Sequence, residues 1–176
     1  MRSLGQPSSA FADDHGEADP ALRATLASAY SGGNEPYLRA VAALCAACLL
    51  LPIVATGDEG GDGPDPDRHA EMAAVMLRVD DATLAVLAFT GLDAMTAWNP
   101  AARPIPCTLD QVAQAAIESG AMALIDFAGP APLVIEHELL REIAAGRRLV
   151  RLDDGGFAWL SAARPTADEG TASAKL

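Results

Sequence analysis

The stretch MLRVDDATLAVLAFTGLDAMTAW, residues 76–98, decides how the chain is read. Two apolar runs, EMAAVMLRV and TLAVLAFT, flank Asp80-Asp81, and aspartate favours tight turns by bonding its own backbone. They read as a β-hairpin. A short helix over 91–97 follows at once, with Leu92 and Met95 on one side. The next segment, AWNPAARPIPC, holds prolines at 100, 104 and 106, which keep it extended. Thr108 and Gln111 then form a capping box, and Leu109, Val112, Ala113, Ala116 and Ile117 make a helical stripe ending at Gly120.

The same alternation continues outward. AMALIDFA and PLVIE pair as a second hairpin around GPA, and residues 136–145 form a helix burying Leu139, Leu140 and Ile143. RRLVRL and FAWL make a third hairpin-like unit. Toward the N-terminus, Asp19-Pro20 supplies an N-cap and a proline at the first helical position, with Leu22, Leu26 and Ala29 on one face. Asn34 opens a second helix carrying Tyr37, Leu38, Val41, Leu44 and Cys45. CLLLPIVAT is a strand whose Pro52 cannot donate to a ladder and so belongs at an edge or bulge. Hairpins interleaved with helices predict an α+β domain rather than a βαβ-wound one. The expected form is a mainly antiparallel sheet of about five to seven strands, with helices packed on one face.

A chain of 176 residues, half of them apolar, is sized for one domain. That domain is expected over 19–160, between disordered tails at 1–18 and 161–176, with a flexible acidic loop at 57–69. The net charge is −12, but four acids lie in residues 1–19 and five in 57–68, each group against one arginine. More than half of the charge therefore lies in flexible-looking segments and reads as a solvating coat. No basic face exists to neutralise phosphates, which argues against nucleic acid. The longest apolar run, AALCAACLLLPIVA, is broken by Pro52 and falls short of a membrane span. The N-terminal stretch has no apolar signal core, and three cysteines make no disulfide framework, so the expected location is cytoplasmic. The terminal Ala-Lys-Leu resembles a peroxisomal address, a tail short enough to arise by chance.

Several chemistries can be set aside from spacing. Cys45-Ala-Ala-Cys48 ends a helix, where the dipole does not activate a thiol, and zinc would need further ligands. These read as small buried thiols. His137 lacks a second histidine one turn on, where Arg141 stands. The acidic loop lacks the fixed Gly and terminal Glu of a calcium loop. No G-x-S-x-G elbow is present, and Thr90 has no nearby histidine to activate it. Arg147, Arg148 and Arg151 follow a helix C-terminus, where they complement its dipole; an acidic ligand or self-association is their alternative use.

The order and wording of LLPIVATG, the acidic loop, EMAAVMLRV, AFTG, AWNPAARPIP and GAMALIDFAGP resemble the N-terminal domain of enhanced serine sensitivity (SseB-like) proteins. The likeness is greatest to the compact versions of high-GC bacteria and spans roughly residues 19–152. Gly91 stands where the broader family often has Ser, and Asp126-Phe127 where the enterobacterial branch tends to have Asn-Pro. The resemblance implies an α+β domain with no assigned activity.

The resulting expectation is a non-catalytic cytoplasmic module that binds a protein partner or a metabolite, without cofactor or metal. The alternative is a ligand-dependent regulator or enzyme with a pocket near the 90–103 loop and Asp126. Its candidate binding residues are Thr90, Trp98, Arg103 and Asp126, at strand ends or in the Pro-rich loop, where binding groups collect. Each also has a plain structural reading. Trp98 would plug the core edge, Arg103 would satisfy helix-end carbonyls or pair with Asp93, and Asp126 would cap a turn.

Overall fold

The computed structural model describes residues 16–54 and 75–161. The acidic loop at 57–69, most of both tails, His15 and His69 lie outside the described residues. The chain begins with two helices, α1 (Pro20–Ala27) and α2 (Glu35–Leu44). Asp19 caps α1 as its sequence suggests, accepting from Ala21 N at 2.8 Å. Leu22, Leu26 and Ala29 are buried, as are Val41 and Leu44 of α2.

Strand β1 (Leu49–Ile53) leads to β2 (Met76–Arg78) and β3 (Leu84–Ala88), which pair antiparallel. Asp80 shapes their turn, its Oδ1 accepting from Ala82 N and Thr83 N at 2.9 and 2.8 Å. Helix α3 (Leu92–Trp98), strand β4 (Arg103–Cys107) and helix α4 (Leu109–Glu118) carry the chain to β5 (Met122–Ile125). The hairpin partner of β5 is β6 (Leu133–Ile135); α5 (His137–Ala144) and the hairpin β7 (Arg147–Arg151) and β8 (Phe157–Ser161) follow. The class is α+β. The main sheet runs β2-β3-β5-β6, with β1-β4 and β7-β8 as separate pairs.

All three hairpins form where their turn residues place them. One pairing is of another kind: β3 and β5 are parallel, with Ala85 opposite Met122 and Ala88 opposite Ile125. Their connection contains two helices and a strand, enough chain for a crossover. The two strands thus end side by side at Thr90 and Asp126.

Period-two alternation divides the core. Val86, Ala88, Ala123, Ile125, Leu133 and Ile135 face a cluster with α1, α2, α4 and α5. Ala85, Leu87, Phe89 and Leu124 face the other way, against Leu50 and against Ala94 and Met95 of α3. Four helices share one face, and α3 lies on the opposite one.

The prolines have a register explanation. Leu50 exchanges both backbone bonds with Phe89, at 2.8 and 2.9 Å, so alternate residues of β1 point their amides toward β3. Leu50 and Pro52 then pair with Pro106 and Pro104 at positions whose amides do not serve the β1–β4 ladder. On β4 those nitrogens face outward, which blunts an edge strand. The far edge is treated differently. Val134 of β6 donates N–H to Tyr30 Oη at 3.1 Å and accepts from Tyr37 Oη at 2.9 Å. The two phenols stack at 6.2 Å and stand in for a missing strand. Burial pushes the Tyr37 hydroxyl up to about 12. Among the described residues no helix is long and apolar enough to cross a membrane.

Candidate functional site

Because β3 and β5 run parallel, their carboxyl ends open on one side of the sheet, the place where ligands of sheet proteins tend to collect. The chain leaves β3 through Thr90 and β5 through Asp126. Asp126 N still bonds Ala88 O at 3.0 Å, and its φ of 51° then turns the chain sharply. Aspartate tolerates this left-handed conformation better than most residues. The turn aims the carboxylate back across the strand ends. Its Oδ1 accepts from Thr90 N at 2.7 Å and its Oδ2 from Thr90 Oγ1 at 2.5 Å.

Thr90 is 5 % exposed and Asp126 1 %, the two buried polar residues of the described chain. Burial raises the Asp126 carboxyl above its ordinary range, opposed by both Thr90 hydrogen bonds and by the Arg23 charge. The pair has the separation of a nucleophile and its base. Both groups are secluded from solvent, and their two hydrogen bonds tie the strand ends together.

Arg23, one turn into α1, completes the cluster. Its Nε donates to Thr90 Oγ1 at 3.4 Å and lies 4.0 Å from Asp126 Oδ2. Its two outer nitrogens take the two Asp93 oxygens, with Nη2 to Oδ1 at 2.6 Å and Nη1 to Oδ2 closing the fork. The Arg23 side chain is 18 % exposed and that of Asp93 62 %. Asp93 is held below the usual carboxylate range, first by its Arg23 hydrogen bond, and that same bond raises Arg23. An ion pair with one partner this exposed contributes about 0–1 kcal/mol.

Gly16 to Ala18, placed by sequence in the N-terminal tail, lie against the start of α3. Leu92 N donates to Gly16 O at 2.8 Å. Gly91 permits this close approach: a Cβ there would stand 2.7 Å from Ala18 Cβ and 2.9 Å from Ala18 N. Between this segment, Arg23, Leu92 and Asp93 is an open cleft of about 600 Å³.

Of the four candidates, Thr90 and Asp126 come together. Trp98 is half-buried and packs its ring 5.7 Å from that of Phe89, closing the second core cluster. Arg103 is exposed at the end of the β1–β4 ladder, opposite Ile53. The partner anticipated for it, Asp93, is taken by Arg23. Sequence reasoning missed Arg23 because a single arginine beside Leu22 on an amphipathic helix carries no distinctive pattern, and it lies 67 residues from Thr90.

Elsewhere the polar groups have local uses. Arg147 pairs with Glu142, and Arg151 lies 3.8 Å from Glu35, tying β7 to neighbouring helices. Burial raises the Cys45 thiol and pushes that of Cys107 up to about 12. Among the described residues no group of three His, Cys, Asp or Glu side chains is placed to hold a metal ion.

A family model described as the SseB protein N-terminal domain matches residues 22–142, and the chain belongs to that family. The match includes Arg23, Thr90, Asp93 and Asp126. No curated protein and no solved structure gives a significant match.

Proposed function

We propose that this SseB-family domain is a non-catalytic cytoplasmic binding module, and that its ligand site is the cleft at the carboxyl ends of β3 and β5. One observation carries the reading. Arg23 is anchored from behind by Thr90 and Asp126, and among the described residues its outer nitrogens bond the exposed Asp93. A guanidinium oriented by buried groups and facing an open cleft is a preformed recognition element. At about 600 Å³ the open cleft falls in the size range of small-molecule sites. The hydroxyl–carboxylate pair behind it is shut away from that cleft, which supports binding without turnover.

The test is amide NMR of the full chain during titration with a small-molecule extract of bacterial cells. Shifts confined to Ala18, Arg23, Leu92 and Asp93 are expected. Shifts elsewhere, or none, refute the assignment of the cleft. Turnover of any compound, abolished by Thr90→Val in a folded protein, refutes the non-catalytic reading.

A further inference from the structure

We infer that the ligand of this cleft carries a carboxylate, which Arg23 takes in the place now held by Asp93. The inference rests on the cleft reading above and adds the chemistry. The Arg23–Asp93 pair is bidentate, each outer nitrogen meeting one oxygen of a planar carboxylate. That is the shape a guanidinium fork recognises, and an ammonium cannot reproduce it. Asp93 is the more exposed partner, in the first turn of a short helix. Arg23 is mostly buried and keeps its Nε contacts whichever carboxylate occupies the fork.

Charge decides between ligand classes. Asp126, Asp93 and the exposed Glu17 surround one arginine, so an added anion is repelled while Asp93 stays in place. Exchange removes that objection. When Asp93 swings into water and a ligand carboxylate replaces it, the charge beside Arg23 is unchanged. A guanidinium fork also takes phosphate oxygens, so inorganic phosphate is the comparison that separates the two ligand classes; the planar carboxylate already seated on Arg23 favours the carboxylate.

Succinate, inorganic phosphate and ethylammonium serve as probes against the wild-type chain and Asp93→Asn, read by the Arg23 Nε–Hε resonance and cleft amides. Succinate is expected to perturb these signals and to bind Asp93→Asn at least tenfold more tightly, because the competing carboxylate is gone. Arg23→Lys, checked for folding by its amide spectrum, is expected to lose succinate. Equal succinate affinity for wild type and Asp93→Asn overturns the inference, as does phosphate binding as tightly as succinate. Ethylammonium shifting the same amides in place of succinate also overturns it, while leaving the cleft reading intact. If no probe acts on either chain the carboxylate assignment fails, and the extract titration judges the cleft separately.

Discussion

Replacing Thr90 by valine removes one oxygen and keeps the shape of the side chain. That oxygen donates to Asp126 Oδ2 at 2.5 Å, at a position 5 % exposed. In the variant the carboxylate keeps Thr90 N on Oδ1 at 2.7 Å, but Oδ2 retains only Arg23 Nε at 4.0 Å. A hydrogen bond to a charged acceptor contributes about 1.5–3 kcal/mol, and water cannot replace the donor in a secluded site. The expected loss is about 2 kcal/mol, roughly 30-fold in the folding equilibrium. For a chain of this size that lowers Tm by about 4–8 °C. Urea denaturation at neutral pH measures it, with Thr90→Ser as the control that keeps the hydroxyl. Asp126→Asn completes a double-mutant cycle, since asparagine also accepts a positive φ. A coupling of about 1–2 kcal/mol between the two positions is expected. A Thr90→Val chain within about 0.5 kcal/mol of wild type, or strict additivity, would refute the account of the tied strand ends.

Two further outcomes follow from neighbouring geometry. Gly91→Ala forces residues 16–18 off the start of α3, because the new methyl meets Ala18 Cβ at 2.7 Å and its backbone nitrogen at 2.9 Å. Hydrogen exchange of the Leu92 amide is expected to accelerate as its bond to Gly16 O is lost, with a stability cost of about 1 kcal/mol; unchanged protection contradicts the steric argument. The second outcome concerns pH. Asp126 is raised above its ordinary 3.8, so the folded chain binds its proton before the unfolded chain does. Its contribution to stability therefore grows as pH falls through the raised value and levels off below the ordinary one. Asp93 is lowered, so the stability it contributes is lost only as pH falls below 3.8 toward its own value. With Arg23 charged throughout, the difference in Tm between wild type and Asp126→Asn is expected to shift in favour of wild type from neutrality down to about pH 4. A difference independent of pH contradicts it.

Local order was legible wherever a short-range rule was sufficient. Asp80 bonds the two amides following its turn, Asp19 caps α1, and Gln111 accepts from Thr108 N at 3.0 Å, because each needs only neighbours within three residues. The three hairpins form for the same reason, and with them the α+β class. The extended segment after Trp98 was legible as extended; that it pairs with β1 depended on register, which places Pro104 and Pro106 where no ladder donor is lost. Trp98 was legible as a plug because aromatic bulk beside a strand end has few other places to go.

The site was half legible. Thr90 and Asp126 stand out as polar residues ending apolar strands, yet nothing local says that one receives the other's hydroxyl. That contact exists because β3 and β5 are parallel, a pairing made by a crossover through α3, β4 and α4 rather than by any turn. Arg23 arrives from a helix 67 residues earlier in the chain and pairs with Asp93, while Arg103 stands exposed on β4. By itself the sequence determined elements, turns and the faces that seek burial, since these follow from backbone preference and hydrophobic period. Tertiary structure decided which strand ends meet and which charge stands between them, since non-local pairing is settled by the packing of the whole core.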